Sequence, residues 1–397
     1  MIVIPGFGAN KDSGTASFLT ELILKNTDDD TPIVTLASNS PAAAEFVAHS
    51  HSSGIPGNQK ADAENLYKMI LASIAHLEDR RGYYGFNIVK VSLIGASLGS
   101  MNVTHLMALD LKKKEQLQKQ NGEENPKRSL SQSYIKFDKI FALNPPISNV
   151  YGSTIIDTLV KESWAASTKL GAKAIFDAVK KLLPRKLDAN IFNNPKNIAT
   201  WFEKYLTSVK EKNFTLSQLR YLVGFGFAPI VQKAIKAGKK RGAIPADDST
   251  KIPFTRYLLK YTYTHYAPGN FVENIGLSEV ANYFGYGPVF EFDPDSETEV
   301  LVENQNYAYA MTEMESLHVL VPQLQNEGHD LSHYHLITFK DDFLLRAEDP
   351  AWIRSNLPGR MGSTSTKGNS IVFEKGGHLG GYTQREFQRY LFSHIDE

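Results

Sequence analysis

The 397-residue chain contains no cysteine. Without cysteine there is no disulfide framework, no thiolate nucleophile and no Cys-based zinc or iron–sulfur site. The absence of cysteine does not indicate in which cellular compartment the protein resides, because a disulfide-free protein survives in reducing and in oxidising surroundings alike. It does leave serine as the leading candidate if the protein uses a side-chain nucleophile.

The chain also has no net charge of either sign, because 43 Lys and Arg residues balance 43 Asp and Glu residues. We therefore expect no global attraction to nucleic acid, and no recognised nucleic-acid module occurs in the chain. The balance conceals local segregation: positions 161–186 carry seven basic and two acidic residues, whereas positions 291–303 carry six acidic and no basic ones.

Long apolar runs are the third absence. None reaches the roughly 18 residues that a membrane-spanning helix needs, and the longest stretch, Tyr221–Val231, is interrupted by glycine and proline. The chain starts with Met1–Ile4 and runs directly into Pro5-Gly6, without the regions typical of a signal peptide. These features predict no transmembrane segment and no signal peptide, with the cytoplasm as the default location.

What is present is an alternation of strand-like and helix-like segments over the first 150 residues. Strands are predicted at 1–4, 33–36, 88–94 and 140–143, and helices at 16–24, 61–77 and 100–111. Lys112–Ser133 is charged and rich in Gln and Asn, so we predict a surface connection there. Strands separated by helices of this length indicate a parallel sheet with right-handed crossovers.

The same pattern returns near the end of the chain, with strands predicted at Tyr334–Phe339 and Ser370–Phe373. A final helix is predicted to start at Thr383, in a Thr-x-x-Glu capping box. We therefore predict an α/β fold with a doubly wound, mostly parallel sheet. Its core is formed by residues 1–150 and 331–397, and residues 151–330 are inserted as a large, mainly helical cap.

The most informative motif is Gly95-Ala96-Ser97-Leu98-Gly99. The G-x-S-x-G pattern is weak alone, but here it follows a predicted strand and precedes a predicted helix, as a nucleophile elbow requires. Such a turn exposes the serine hydroxyl at the carboxyl end of the sheet, near the positive end of the helix. We predict that Ser97 is a nucleophile; the alternative is an ordinary strand–helix turn with a capping serine.

A serine hydroxyl needs a base to take its proton and an acid to orient that base. His378 is the preferred base, because it lies in a glycine-rich loop directly after the last predicted strand; the alternative is a surface histidine. His105 is predicted to pack or to be solvated. Asp341 and Asp342 follow the strand 334–339, and we favour Asp342 as the acid with Asp341 as the alternative.

An oxyanion hole would complete such a site. One donor is predicted to be the backbone N–H of Leu98, directly after the serine. The other is predicted to be the N–H of Phe7, in the glycine-containing loop Pro5–Asn10. The alternative is a glycine-rich turn without a ligand role. A phosphate-binding loop is excluded, because no Gly-Lys-[Ser/Thr] follows these glycines.

Together these residues resemble the α/β-hydrolase superfamily, over the predicted core and none of the cap. Pro5-Gly6 stands where many members have His-Gly. The resemblance implies a serine hydrolase that cleaves a carboxylic ester without a metal or cofactor. A cap dense in Phe, Tyr and Leu favours a small-molecule ester or lipid-like substrate. A serine peptidase, an acyltransferase and a non-catalytic binding protein with a hydrolase fold stay open as alternatives.

Two other clusters have competing interpretations. His329 and His333, with His335 nearby, resemble a metal-ligand spacing, but Gly328 and the following strand argue against a helix there, so we predict a loop or a hydrogen-bonded cluster instead of a metal site. The basic amphipathic stretch Lys169–Lys186 is predicted to be a packed cap helix. Together with Lys233–Arg241, it offers the alternative of peripheral docking on a lipid interface.

Overall fold

The structure is a computed structural model that describes most of the predicted core and a small part of the predicted cap. The described residues are 1–26, 33–38, 40, 43, 46, 57, 59–85, 87–121, 134–169, 227, 230, 232–240, 242, 246, 313–359, 366–378 and 380–395. Of the basic stretch Lys169–Lys186, only Lys169 is among the described residues. The acidic segment 291–303 lies outside them.

Six parallel strands form one sheet in the order β2-β1-β3-β4-β5-β6. The strands are β1 (Ile2–Ile4), β2 (Leu36–Ala37), β3 (Leu93–Ala96), β4 (Ile140–Leu143), β5 (Tyr334–Phe339) and β6 (Asn369–Phe373). The prediction of an α/β fold is confirmed, and all of the described strands run parallel. The strand order reverses beside β1, which has β2 on one side and β3 on the other.

Helices cover both faces of this sheet. They are α1 (Gly14–Asn26), α2 (Gln59–Asp79), α3 (Arg81–Tyr84), α4 (Leu98–Asn121), α5 (Asn149–Lys169), α6 (Leu317–Asn326), α7 (Asp349–Asn356) and α8 (Arg385–Ile395). Residues 232–240 are also helical. None of the helices among the described residues combines the length and the apolar composition needed to cross a lipid bilayer.

The two faces of the sheet belong to two separate hydrophobic clusters, because successive side chains of a strand point in opposite directions. In β4, Ile140 and Ala142 pack in the cluster that includes residues of α2, α4, α6 and α7. Phe141 and Leu143 pack in the other cluster, with residues of α1 and α8. This two-sided burial explains why the strands are continuously apolar instead of alternating.

Helix α6 lies within the range predicted to be a cap, and it packs on the core. Its buried residues have helical spacing and belong to the same cluster as α2 and α4: Leu317, Leu320, Val321 and Leu324. The N–H of Leu317 donates to the carbonyl of Ile147 at 3.0 Å, so the two ends of the predicted insertion lie side by side. The domain division itself stays a prediction, because most of 151–330 lies outside the described residues.

Several predicted boundaries were wrong. Helix α4 continues to Asn121, so the first part of Lys112–Ser133 is helical instead of a connection; its Lys, Glu, Gln and Leu residues all favour helix. Strand β3 starts at Leu93 instead of residue 88, and β2 is Leu36–Ala37 instead of 33–36.

The capping box predicted at Thr383 was also wrong. Thr383 ends a 3₁₀ turn, Gly380–Thr383, and α8 begins only at Arg385. A Cβ atom on Gly381 would overlap the ring of Phe339. The absence of a side chain at Gly381 therefore lets the chain turn tightly against the core before the helix starts.

Candidate active site

Ser97 occupies the tight turn between β3 and α4. Its φ angle is +55°, in the left-handed region that residues other than glycine rarely adopt. The turn is held by the N–H of Ser97, which donates to the carbonyl of Leu143 at 2.8 Å, and by the N–H of Ser100, which donates to the carbonyl of Ser97 at 2.9 Å. A strained residue that is fixed in this way is typical of functional sites.

The glycines on either side of Ser97 are required by close backbone contacts. A Cβ atom on Gly95 would overlap the carbonyl of Gly99, and a Cβ atom on Gly99 would overlap the carbonyl oxygen of Ile4. Strand β3, helix α4 and strand β1 therefore meet at distances that no other residue allows. This is the physical reason for the G-x-S-x-G spacing.

His378 connects Ser97 to Asp342. Its Nε2 lies 2.8 Å from the Oγ of Ser97. Its Nδ1 lies 2.9 and 3.0 Å from the two carboxylate oxygens of Asp342. Because an ionised carboxylate only accepts hydrogen bonds, Nδ1 must carry the proton, which leaves Nε2 of the neutral ring to accept from the serine hydroxyl. The three predicted residues are thus joined in one hydrogen-bonded chain.

Two further donors fix the carboxylate of Asp342, which is 3% exposed. The backbone N–H of Leu344 donates to Oδ1 at 2.9 Å, and Nδ2 of Asn144 donates to Oδ2 at 2.9 Å. The ring of Phe343 lies beside His378, with their centroids 5.1 Å apart. Burial, and secondarily the charge of Asp342, raise the pKa of Tyr382 well above its usual value, so its hydroxyl stays neutral.

Asp341 has a different position from its neighbour. Its side chain is exposed, and Oδ1 accepts the N–H groups of Gly376 at 2.9 Å and Gly377 at 2.7 Å. Of the two aspartates considered from sequence, the structure thus brings Asp342 to His378, and Asp341 shapes the loop that carries the histidine.

The loop after β1 lies directly beside the serine. A Cβ atom placed on Gly6 would be 3.1 Å from Cβ and 3.6 Å from Oγ of Ser97. Gly8, with a φ of +67°, closes a turn in which the N–H of Ala9 donates to the carbonyl of Gly6 at 3.1 Å. Phe7 lies within this turn, on the segment next to Ser97.

The other predicted donor, Leu98, is the first residue of α4. Backbone N–H groups in the first turn of a helix have no acceptor within the helix. Strands β1 and β3, which precede the two donor segments, are the neighbours at which the strand order reverses. Ligands of parallel α/β sheets bind at this point of the carboxyl edge.

Residues from the predicted cap contact the loop beside Ser97. The rings of Phe7 and Phe227 lie 6.1 Å apart, and a Cβ atom on Gly8 would overlap the side chain of Ile230. The described surroundings of the loop are therefore apolar on this side.

The competing histidines have other positions. His105 is buried on α4, where burial lowers its pKa to about 4 and its Nε2 lies 2.8 Å from the carbonyl oxygen of Glu315. It packs, which is one of the two outcomes predicted for it. His329 and His333 precede β5 in a non-helical segment, as predicted. Within the described ranges, no three His, Asp or Glu side chains are grouped as a metal ion would need.

Sequence reasoning missed Asn144 as a site residue. The sequence predicted only that the strand 140–143 ends before it. The available signal was its position: a polar residue directly after a buried parallel strand lies at the carboxyl edge of the sheet, where the site is built.

Comparison with known proteins adds no relative to this picture. No protein-family model, curated protein or solved structure matches the chain. Functional inference therefore depends on the residues and on their geometry.

Proposed function

We propose that this protein is a serine hydrolase of the α/β-hydrolase type, which cleaves a carboxylic ester through an acyl-enzyme on Ser97. The observation that carries the proposal is the hydrogen-bonded chain from Asp342 through His378 to Ser97, with a distance of 2.8 Å between Nε2 and Oγ. The three residues come from distant parts of the sequence and meet at one edge of the sheet, in the order Ser, Asp, His along the chain.

The mechanism follows from the direction of these hydrogen bonds. The Oγ of Ser97 attacks the ester carbonyl carbon while its proton moves to Nε2 of His378. Asp342 keeps the ring oriented and stabilises the imidazolium that forms. The tetrahedral intermediate then expels the alcohol, which takes its proton from Nε2. Water attacks the acyl-enzyme in the same manner, and the acid product leaves Ser97 free.

The oxyanion of each tetrahedral intermediate needs donors beside the serine. The N–H groups of Leu98 and Phe7 are proposed for this role, since their segments flank Ser97 and the N-terminal end of α4 favours negative charge. The reaction needs neither a metal nor a cofactor.

A small-molecule ester with an acyl or lipid-like group fits the described surroundings best. Phe7, Phe227 and Ile230 provide an apolar wall on one side of the serine, and Phe343 lies beside the histidine. We propose that residues 1–150 and 331–397, with helix α6 packed among them, are the hydrolase core, and that the rest of 151–330 forms the cap that supplies part of this wall.

Lysine side chains of the proposed cap are described in the helix 232–240. In the helix 232–240, Ala234 and Ile235 are buried whereas Lys233, Lys236 and Lys240 are exposed. This burial favours a cap helix packed on the protein. Docking of the exposed lysines on an anionic lipid interface stays an alternative, and no contact among the described residues supports it.

Labelling with a fluorophosphonate tests the enzyme proposal. The reagent forms a covalent bond with an activated serine, so we expect labelling of the wild type and none of Ser97→Ala. The matched control is Ser355→Ala, which removes an exposed serine on α7 and should label like the wild type. An unlabelled wild type, or equal labelling of Ser97→Ala, would favour a non-catalytic binding protein and contradict the proposal.

Turnover assays separate the enzymatic alternatives. We expect hydrolysis of acyl esters, measured for short and long chains, to exceed cleavage of peptides by orders of magnitude. Faster cleavage of peptides would indicate a serine peptidase. Transfer of the acyl group to an added alcohol in preference to water would indicate an acyltransferase.

A further inference from the structure

Asn144 lies at the carboxyl end of β4, between the elements that carry the acid and the histidine. Asn144 is fully buried, and its φ angle is +51°. The backbone N–H donates to the carbonyl of Ile337 on β5 at 2.8 Å. The residue is thus anchored to the strand that leads into Asp342.

The amide group of Asn144 faces two acceptors. Its Nδ2 lies 2.9 Å from Oδ2 of Asp342 and 3.5 Å from the carbonyl oxygen of Gly377. A carboxylate and a carbonyl only accept hydrogen bonds, so the NH₂ end and not the oxygen end must point at them. The Oδ1 of Asn144 has no hydrogen-bond partner in the described part of the chain. The site therefore uses this side chain as a donor.

We propose that Asn144 is a positioning residue for the reaction of Ser97: its amide holds the Asp342 carboxylate in the orientation that accepts from His378. This inference rests on the proposed function. The longer contact to Gly377 ties the loop that carries His378 to the same amide, so one side chain sets the acid and the histidine relative to each other.

The other groups around the carboxylate do not replace this amide. The Leu344 N–H donates to Oδ1, so Oδ2 accepts only from Asn144 and from His378 among the described contacts. The hydroxyl of Tyr382, which the Asp342 charge influences, has no hydrogen-bond partner among the described residues. Asp341 is engaged with the backbone of the histidine loop. Without Asn144 the carboxylate loses a charge-assisted hydrogen bond and one of the contacts that fix its plane.

A purely backbone role is the competing explanation. Asn is one of the few residues that tolerate a left-handed conformation, so the turn after β4 alone would favour it. Glycine satisfies that requirement at least as well and has no side chain. Asn144→Gly therefore separates the two roles.

The experiment measures the rate of fluorophosphonate labelling together with the thermal unfolding temperature. For Asn144→Gly we expect labelling to slow by about tenfold or more, since a hydrogen bond to a charged group is lost, with the protein still folded at the assay temperature. Lys136→Gly is the matched control, because Lys136 also has a positive φ, +57°, and is exposed away from the site. It should label at the wild-type rate.

A second variant, Asn144→Asp, keeps the shape and replaces the donor by an acceptor. Facing Asp342 and the Gly377 carbonyl, the introduced carboxylate should make labelling slower than in Asn144→Gly at about pH 8. When the pH falls, the introduced carboxyl gains a proton and can donate again. The rate of Asn144→Asp relative to Asn144→Gly should then rise.

The outcomes are distinguishable. If the wild type labels at Ser97 and Asn144→Gly labels equally fast, the positioning role is wrong and the proposed function stands. If Asn144→Gly is unfolded at the assay temperature, Asn144→Asp gives the answer: a labelling rate that does not recover relative to the wild type as the pH falls overturns the positioning role. A wild type that does not label contradicts the proposed function before any Asn144 variant is made.

Discussion

Asp110 precedes strand β4 in the sequence and Asp342 follows it. Both aspartates are buried, but their surroundings are opposite in kind. Asp110 lies on α4 against the segment that leads into the amino end of β4, and Asp342 follows the carboxyl end of the neighbouring strand β5. They are 6% and 3% exposed, so burial alone does not distinguish them.

Asp110 is surrounded by groups that hold the chain. Its carboxylate accepts the backbone N–H groups of Ile135 at 2.8 Å, Lys136 at 3.1 Å and Phe137 at 3.4 Å, and also the hydroxyl of Tyr67. Burial raises the pKa of Asp110, and these four donors oppose that rise. Because every partner is backbone or a neighbouring core side chain, the cluster fixes the entry to β4.

Asp342 has one backbone donor and two side-chain donors, and one of these, His378, leads on to a serine hydroxyl. A buried, well-bonded carboxylate is therefore not by itself a sign of chemistry. What distinguishes Asp342 is its connection, through a ring that can carry a proton, to a nucleophile in a strained turn.

The largest expected difference between the two aspartates is in turnover. Asp342→Asn puts an amide where the carboxylate accepts from Nδ1, which favours the wrong tautomer of His378, so we expect kcat for ester hydrolysis to fall by about 10⁴-fold. The free energy of unfolding should fall less than in Asp110→Asn, because an amide with its nitrogen at the Oδ2 position faces the side chain of Asn144, which can rotate to accept, instead of a backbone N–H. A fall of less than tenfold in kcat would remove Asp342 from the proposed mechanism.

Asp110→Asn should show the opposite pattern. Whichever oxygen becomes an NH₂ group, it faces a backbone N–H that then lacks an acceptor, so we expect a loss of about 3 kcal/mol in the free energy of unfolding. The labelling rate per folded molecule should stay near that of the wild type. Denaturant titration measures the loss, with Asp79→Asn as an exposed control that should change stability by less than about 0.5 kcal/mol. A catalytic defect in a stable Asp110→Asn protein would contradict the purely structural role assigned to Asp110.

Asp341→Asn gives the smallest effect. The amide keeps an oxygen that can accept from the N–H groups of Gly376 and Gly377, and only the charge is lost. We expect kcat to fall by less than about tenfold, since a neutral acceptor weakens these bonds without abolishing them. If Asp341→Asn is the variant with the large defect, the assignment of the acid is wrong by one residue.

Local patterns predicted much of this fold. The apolar runs at β4 and β5 match the predicted strands to the residue, and α8, where a final helix was predicted, buries Phe387, Tyr390 and Leu391 at helical spacing. These predictions succeeded because burial on both faces leaves a continuous apolar run, and burial of one helical face leaves a periodic one. The start of β3 and the start of α8 depended on packing with distant segments, which no local pattern records, whereas the extension of α4 to Asn121 agrees with the helix propensity of its own residues.

Which residue types stand at the ends of the strands follows from the amino-acid sequence alone. A parallel sheet brings all of its carboxyl ends to one edge, so Ser97, the Asp341–Asp342 pair and His378 could be assigned to that edge before any contact was known. The need for glycines around Ser97 could also be predicted from the sequence, because a tight strand–helix turn tolerates nothing larger.

Which side chains meet at that edge depends on the tertiary structure. Asp341 and Asp342 are adjacent in sequence, and the backbone path after β5 turns one into the core and the other toward the histidine loop. Asn144 reaches Asp342 from nearly two hundred residues away in the chain. The direction of a side chain beyond the end of a strand is set by contacts between separate segments, and those contacts exist only once the chain is folded.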